Sequence, residues 1–190
     1  MVGTGYVGLS TGACLAHLGH TVTCLDIDSA KISQLREGTI PIVEDGLPDL
    51  VRDGISARRL RFTTNLGEAV SDAEAVFLCL PTPQGEDGSA DLSSVMAAVD
   101  QMRGLLPAGT VLINKSTVPV GSARTIREVL ARPDVKVVSN PEFLRQGTAV
   151  RDFLHPTRIV IGGDGTAEVE FVASLYLSLI HISEPTRRYA

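Results

Sequence analysis

Short, apolar, β-branched runs alternate with longer stretches of helical periodicity along most of the chain. The runs at residues 21–26, 60–63, 75–80, 110–115, 135–139 and 158–161 are apolar through their centres, as strands buried on both faces are. Helical stretches fall at 6–18, 29–37, 91–106 and 122–130. Asp28 stands where it can cap the second of these. Arg103-Gly104 and Pro107-Ala108-Gly109 punctuate the return from the third to the next strand. Strand and helix in alternation predict an α/β fold, a Rossmann-like doubly wound parallel sheet. The longest irregular stretch, 81–90, follows a strand end, where such folds place ligand loops. No internal repeat or low-complexity tract interrupts the pattern.

The glycines sharpen this picture. Gly3-Thr4-Gly5-Tyr6-Val7-Gly8 leads directly into the first helical stretch. In that context Gly3 permits a tight turn, Gly5 lets backbone approach a pyrophosphate, and Gly8 lets the helix pack closely on the sheet. The helix starting at Tyr6 and Val7 offers unpaired N–H groups and its positive dipole end to phosphates. About 20 residues on, an acid at the end of the next strand is expected for the adenosine ribose, and Asp26 stands there. A carboxylate at that point accepts from the 2′-hydroxyl of NAD and repels the 2′-phosphate of NADP. Lys31 lies close enough in sequence to soften that repulsion. The competing reading of Asp26 as a helix cap is better filled by Asp28. NAD is therefore the expected cofactor.

Composition adds exclusions. With 44% hydrophobic and 21% charged residues in 190, the chain is of ordinary globular composition. A net charge of −5, the lack of a basic run and 4% aromatics argue against a nucleic-acid surface. No apolar run approaches the roughly 20 residues of a membrane span, and no charged-then-apolar leader is seen. Cys14, Cys24 and Cys79 sit in apolar surroundings without metal-ligand spacing. They read as reduced, buried thiols, and the expected location is cytoplasmic. No metal site is expected.

Both ends depart from the pattern. A strand should precede the glycine loop, yet only Met1 and Val2 do, against a mean strand of about 5–6 residues. Such a truncated first strand is expected to leave sheet edges exposed on both sides and to weaken NAD binding. Residues 178–190 break with what precedes them. The expected organisation is a fragment with a dinucleotide-binding domain over 1–177 and a non-native tail over 178–190.

Six further strings occur in order: Gly5-Tyr6-Val7-Gly8, Leu25-Asp26-Ile27-Asp28, Ile40-Pro41-Ile42-Val43-Glu44, Leu80-Pro81-Thr82-Pro83, Lys115-Ser116-Thr117-Val118-Pro119-Val120-Gly121 and Asn140-Pro141-Glu142-Phe143-Leu144. Together they resemble the N-terminal domain of the UDP-glucose/GDP-mannose dehydrogenase family, over about residues 2 to 176. On chemistry alone, Thr82 offers a hydroxyl in a proline-stiffened loop, and Thr117 either faces the crevice or bonds its own backbone. Glu142 alone reads as a helix-start acid complementing the dipole.

The resemblance implies more. Thr82, Thr117, Lys31 and Gln146 would contact NAD, and Thr117 would help to hold a water. Glu142 would be a general base, with Phe143 and Leu144 beside it on the substrate. A carboxylate in a partly dry site suits that role. Gln146 departs from the Glu that many members carry, which keeps reach but removes charge. The implied reaction takes the C6 alcohol of a nucleotide sugar to a carboxylate with two NAD, through a thioester that water cleaves. Covalent capture divides one hard step into easier ones.

UDP-glucose is the first substrate implied, giving UDP-glucuronate. GDP-mannose, a UDP-N-acetyl sugar, or a non-catalytic NAD-binding module are the alternatives. Leu80-Pro81-Thr82-Pro83 keeps the N-acetyl sugars open, and Glu86-Asp87-Gly88-Ser89-Ala90-Asp91 favours UDP-glucose. The nucleophilic Cys and cationic Lys of that scheme follow this domain in the family, so the chain alone is expected not to turn over. The full-length parent is expected to be a homodimer or larger. His155 receives no role.

Overall fold

The computed structural model describes residues 1–85 and 88–177. Five short strands, β1 (Val22–Leu25), β2 (Leu60–Thr63), β3 (Ala75–Leu78), β4 (Val111–Asn114) and β5 (Lys136–Ser139), alternate with helices. The helices are α1 (Tyr6–His17), α2 (Ser29–Arg36), α3 (Leu47–Ser56), α4 (Leu66–Val70), α5 (Ser93–Met102), α6 (Ser122–Leu130), α7 (Ala149–Leu154) and α8 (Thr166–Ser174). β1 pairs with β2, and β3 with β4 with β5, all in parallel. The two groups are joined by Val2, which bridges Leu25 on one side and Leu78 on the other. Across the sheet the order is β2, β1, Val2, β3, β4, β5, so the chain reverses its winding direction between Val2 and β3. Ligands of open α/β sheets sit at such a reversal, beyond the carboxyl ends of the strands.

The expectation of exposed edges at the shortened first strand needs correction. Val2 N–H donates to Phe77 O and Cys79 N–H to Val2 O, both at 2.8 Å. On the other side Leu25 N–H donates to Met1 O at 2.8 Å and Gly3 N–H to Leu25 O at 2.9 Å. Two residues thus fill the centre of the sheet at the level of the glycine loop, because a ladder needs only alternate N–H and C=O groups on each side. Met1 and Val2 are buried accordingly. Below them, toward the amino ends of β1 and β3, a cavity of about 500 Å³ opens between Thr23, Ala75 and Phe77.

The strand alternation serves two cores. Phe77, Ile113 and Val138 point to one face, with Leu9, Ala13 and Val51 of α1 and α3 and Phe153 of α7. Val76, Leu78, Leu112 and Val137 point to the other, with Val95, Val99 and Ile126 of α5 and α6. Both faces are covered, as an all-parallel sheet requires.

Four helices lay outside the sequence expectation. α3 contains Pro48 and Gly54, which weaken helical propensity, but a proline in the first turn costs nothing there and Gly54 packs tightly on Leu60. α4 and α7 are short, with five and six residues, whereas α8 runs to nine. The strand expected at 158–161 does not form. The contact there is a single antiparallel bridge between Ser139 and Gly162. The next rung would set Val160 opposite Pro141, which has no N–H to donate, and Val160 O accepts instead from the Asn140 side chain at 2.8 Å. The tail expected at 178–190 lies outside the described residues, as do residues 86 and 87 of the 81–90 loop. No described helix is long and apolar enough to cross a membrane.

Candidate functional site

The glycine loop leaves the sheet at the reversal point, and its three glycines do different work. Gly3 has φ +98°, and a Cβ on it would lie 2.5 Å from Cys79 O. A Cβ on Gly8 would lie 2.0 Å from Gly3 O, so only glycine lets α1 fold back onto the loop. A Cβ on Gly5 would meet nothing within 4 Å. The space above Gly5 is therefore open, beside the start of a twelve-residue helix that has no side-chain cap and no acid in its first turn. Such a helix start, with its leading N–H groups unpaired inside the helix, suits an anion. This cradle fits a dinucleotide pyrophosphate. Val7 leans onto the core, whereas Tyr6 is half-buried. Burial raises the Tyr6 phenol above its ordinary value, and the charges of Glu142 and Glu44 add to this, which brings Tyr6 near both acids.

Asp26, just past β1, is 14% exposed and densely bonded. Its Oδ2 accepts from Thr4 N–H at 3.0 Å, from the Thr4 hydroxyl, and from Lys31 Nζ at 3.1 Å. Its Oδ1 accepts from Asp28 N–H at 3.2 Å and keeps lone-pair capacity for a further donor. Burial would raise this carboxyl, but the bonds from Thr4, Asp28 and Lys31 outweigh it and hold its pKa below the usual range. Asp28, not Asp26, caps α2, accepting from Lys31 N–H at 3.0 Å. Directly after Asp26, Ile27 is 97% exposed.

Across the reversal point lie the ends of β3, β4 and β5. The Thr82 hydroxyl donates to Thr117 O at 2.7 Å, tying two of these loops together. Thr117 Oγ1 donates to Glu142 Oε1 at 3.2 Å, so it bonds the acid and not its own backbone. The other oxygen, Glu142 Oε2, is buried without a hydrogen-bond partner. Phe143 and Leu144 line a cavity of about 330 Å³ with Lys115, Asn140, Arg158 and Tyr176. The Arg158 guanidinium lies over the Phe143 ring, 4.6 Å from its centroid. Gln146 is exposed in the loop that follows and precedes Gly147, at φ +90°.

Two residues to which sequence reasoning gave no role organise this edge. Glu44 is buried and accepts from Gly147 N–H at 2.7 Å and Ala149 N–H at 3.0 Å, fixing the Glu142 loop and the start of α7. Lys115, also buried, donates to Asn140 Oδ1 at 3.4 Å. The signal for both was a charged residue within an otherwise apolar or strand-like run.

The three thiols are free and buried. Burial pushes Cys14 and Cys79 up to about 12 and Cys24 to about 11, which suits packing and opposes nucleophilic chemistry. Among the described residues no group of His, Cys, Asp and Glu could hold a metal ion.

Comparisons with known proteins converge on one family. Residues 1–180 match the sequence model of the UDP-glucose/GDP-mannose dehydrogenase family, NAD binding domain. Over 192 residues the chain is 44% identical to a UDP-glucose 6-dehydrogenase of Pseudomonas aeruginosa, covering 97% of this chain and 42% of the relative. Among solved structures, a UDP-glucose dehydrogenase from Pyrobaculum islandicum superposes with a TM-score of 0.85 at 36% identity, covering 94% of this chain and 43% of that one. A GDP-mannose dehydrogenase from Pseudomonas aeruginosa gives a TM-score of 0.85 at 30% identity, covering 93% and 43%. The chain thus spans less than half the length of each of these relatives.

Proposed function

The chain belongs to the UDP-glucose/GDP-mannose dehydrogenase family and carries its NAD-binding domain, and on that premise we propose that it is the cofactor-binding part of an enzyme oxidising UDP-glucose to UDP-glucuronate. The observation that carries this reading is the meeting of the glycine cradle with the Thr117–Glu142 pair at one edge of the sheet. In the proposal the cradle at Gly3, Gly5 and Gly8 and the N-terminus of α1 hold the pyrophosphate. Asp26 Oδ1 takes a ribose hydroxyl, and the exposed Ile27 side chain offers apolar surface to the adenine. Lys31 keeps Asp26 charged and in place, rather than admitting a 2′-phosphate, because its ammonium is already engaged at 3.1 Å. Thr82 shapes the crossing point through its bond to Thr117, and Gln146 approaches from the Glu142 loop.

When bound, NAD supplies the hydride acceptor. The chain's own residues orient the reacting carbon and manage water. Thr117 donates to one oxygen of Glu142, which leaves the other buried and free to accept a proton from a water. A carboxylate so held is a general base. Phe143 and Leu144 line the cavity that would take the sugar. The nucleophile is assigned to the part of the parent enzyme beyond this domain, since Cys14, Cys24 and Cys79 are buried with raised pKa values. That placement, a cytoplasmic location, an oligomeric parent and a domain boundary near residue 177 belong to the same proposal.

Calorimetric titration of the chain with NAD and NADP tests the first half. NAD binding at least about tenfold tighter than NADP is expected, and equal affinities would overturn the assignment of Asp26. A panel of UDP-glucose, GDP-mannose and UDP-N-acetyl sugars, assayed for NADH with the parent enzyme, tests the second. Preference for any sugar other than UDP-glucose would overturn that choice.

A further inference from the structure

Parallel pairing sets β4 and β5 in a fixed register, with Val111 opposite Lys136 and Asn114 opposite Ser139. The same 25-residue offset continues past the strands as two side-chain rungs, Lys115 Nζ to Asn140 Oδ1 at 3.4 Å and Thr117 Oγ1 to Glu142 Oε1 at 3.2 Å. Lys115 and Glu142 therefore sit diagonally on adjacent rungs, with a bend at Ser116 between Lys115 and Thr117. Each is incompletely satisfied. Among the described residues the Lys115 ammonium, 4% exposed, has that one long bond for its three donors. Glu142 Oε2 is buried with no partner at all.

Asn140 cannot meet the deficit. Its oxygen already accepts from Tyr176 Oη at 2.6 Å, and its nitrogen donates to Val160 O at 2.8 Å. A buried ammonium without a nearby anion is costly, so the diagonal carboxylate is the countercharge that makes its burial tolerable. Other groups around the ammonium are the neutral thiol of Cys79 and the Tyr176 phenol, with Arg145, Asp152, His155 and Arg158 on the same cavity wall. The one anion among these, Asp152, is already engaged by the Arg145 guanidinium at 2.7 Å and by the Thr148 hydroxyl.

We propose that Lys115 is a positioning residue for Glu142, the fixed buried countercharge that keeps this carboxylate aimed at Thr117 and at the proposed water. The proposal rests on the reading of Glu142 as the base. Burial lowers Lys115 below the usual lysine range, and the Glu142 charge opposes this, in keeping with that coupling.

The chain has three lysines, Lys31, Lys115 and Lys136, so 13C-labelled lysine gives three side-chain NMR signals to follow against pH. Removing the opposite charge with E142Q is expected to lower the Lys115 midpoint by at least about half a pH unit, leaving Lys31 and Lys136 in place. E142D, which keeps the charge, is expected to hold the Lys115 midpoint within about 0.2 unit of wild type. An unchanged midpoint in E142Q, or equal shifts in E142Q and E142D, would overturn the proposal. The measurement involves neither cofactor nor sugar. Coupling without NAD binding would therefore sink the functional reading alone, and NAD binding without coupling would sink only the role of Lys115.

Discussion

At the scale of single residues, the glycines and Asp26 separate folding from binding. Gly8→Ala forces a Cβ into Gly3 O and is expected to unfold or rearrange the loop, whereas a Cβ at Gly5, the first atom added by Gly5→Val, meets nothing within 4 Å. Gly5→Val should therefore keep the melting temperature within a few degrees yet weaken NAD binding at least about tenfold, near 1.4 kcal/mol. Calorimetry beside a thermal melt checks both. Asp26→Asn is expected to lose a similar factor in NAD affinity. Because hydrogen bonds hold Asp26 below its ordinary pKa, the wild-type carboxylate stays charged and NAD affinity should be flat from pH 7 to about 5. The same depression stabilises the fold above the unfolded-state value near 3.9 and is lost as pH falls through the folded value. Acid melts of Asp26→Asn should lack that portion of the pH dependence. Asp26 was legible in the sequence because its position follows from one strand and one spacing. Lys115 was not, because a lysine at a strand end normally reaches solvent, and only packing reveals its burial.

At the scale of elements, the two-residue strand and the Glu44 clamp carry the clearest consequences. Leu25 N–H and Cys79 N–H donate to Met1 O and Val2 O, so both amides should resist hydrogen exchange like the core of β3. Exchange at loop rates would mean that Met1 and Val2 do not complete the sheet. Glu44→Gln replaces a carboxylate accepting two N–H groups, that of Ala149 buried, by an amide that can accept on one oxygen only. The expected cost is about 2 kcal/mol, or roughly 4–8 °C in melting temperature. The strands with apolar centres were readable from pattern alone, as were α1, α2, α5 and α6. The strand expected at 158–161 stops after one bridge because the next rung falls on Pro141, which lacks an N–H, and the Asn140 side chain takes Val160 O instead. α3 was hidden by Pro48, which is harmless only in a first turn, and by Gly54, whose local cost is offset by packing on α1 and β2.

For the whole molecule, the expectation is a folded cofactor domain with an incomplete reaction centre. All three thiols should resist a disulfide reagent at pH 8 until the protein is denatured, when three react. Ready labelling of the native chain would contradict the packing of the core that holds all three. The chain alone should produce no NADH from UDP-glucose while still binding NAD, and steady turnover would show that the nucleophile is not supplied from elsewhere. By itself the sequence determined the layered α/β architecture, the glycine cradle, Asp26 and the cofactor class. These follow from periodicity and short spacings, where a residue's neighbours in sequence are also its neighbours in space. The tertiary structure alone decided that Met1 and Val2 pair with strands on both sides at the level of the glycine loop, that Thr117 bonds Glu142, and that Glu44 and Lys115 brace the site. Those contacts join residues from 23 to 105 positions apart through the register of paired strands and the folding of α7 onto α1, for which no local pattern exists.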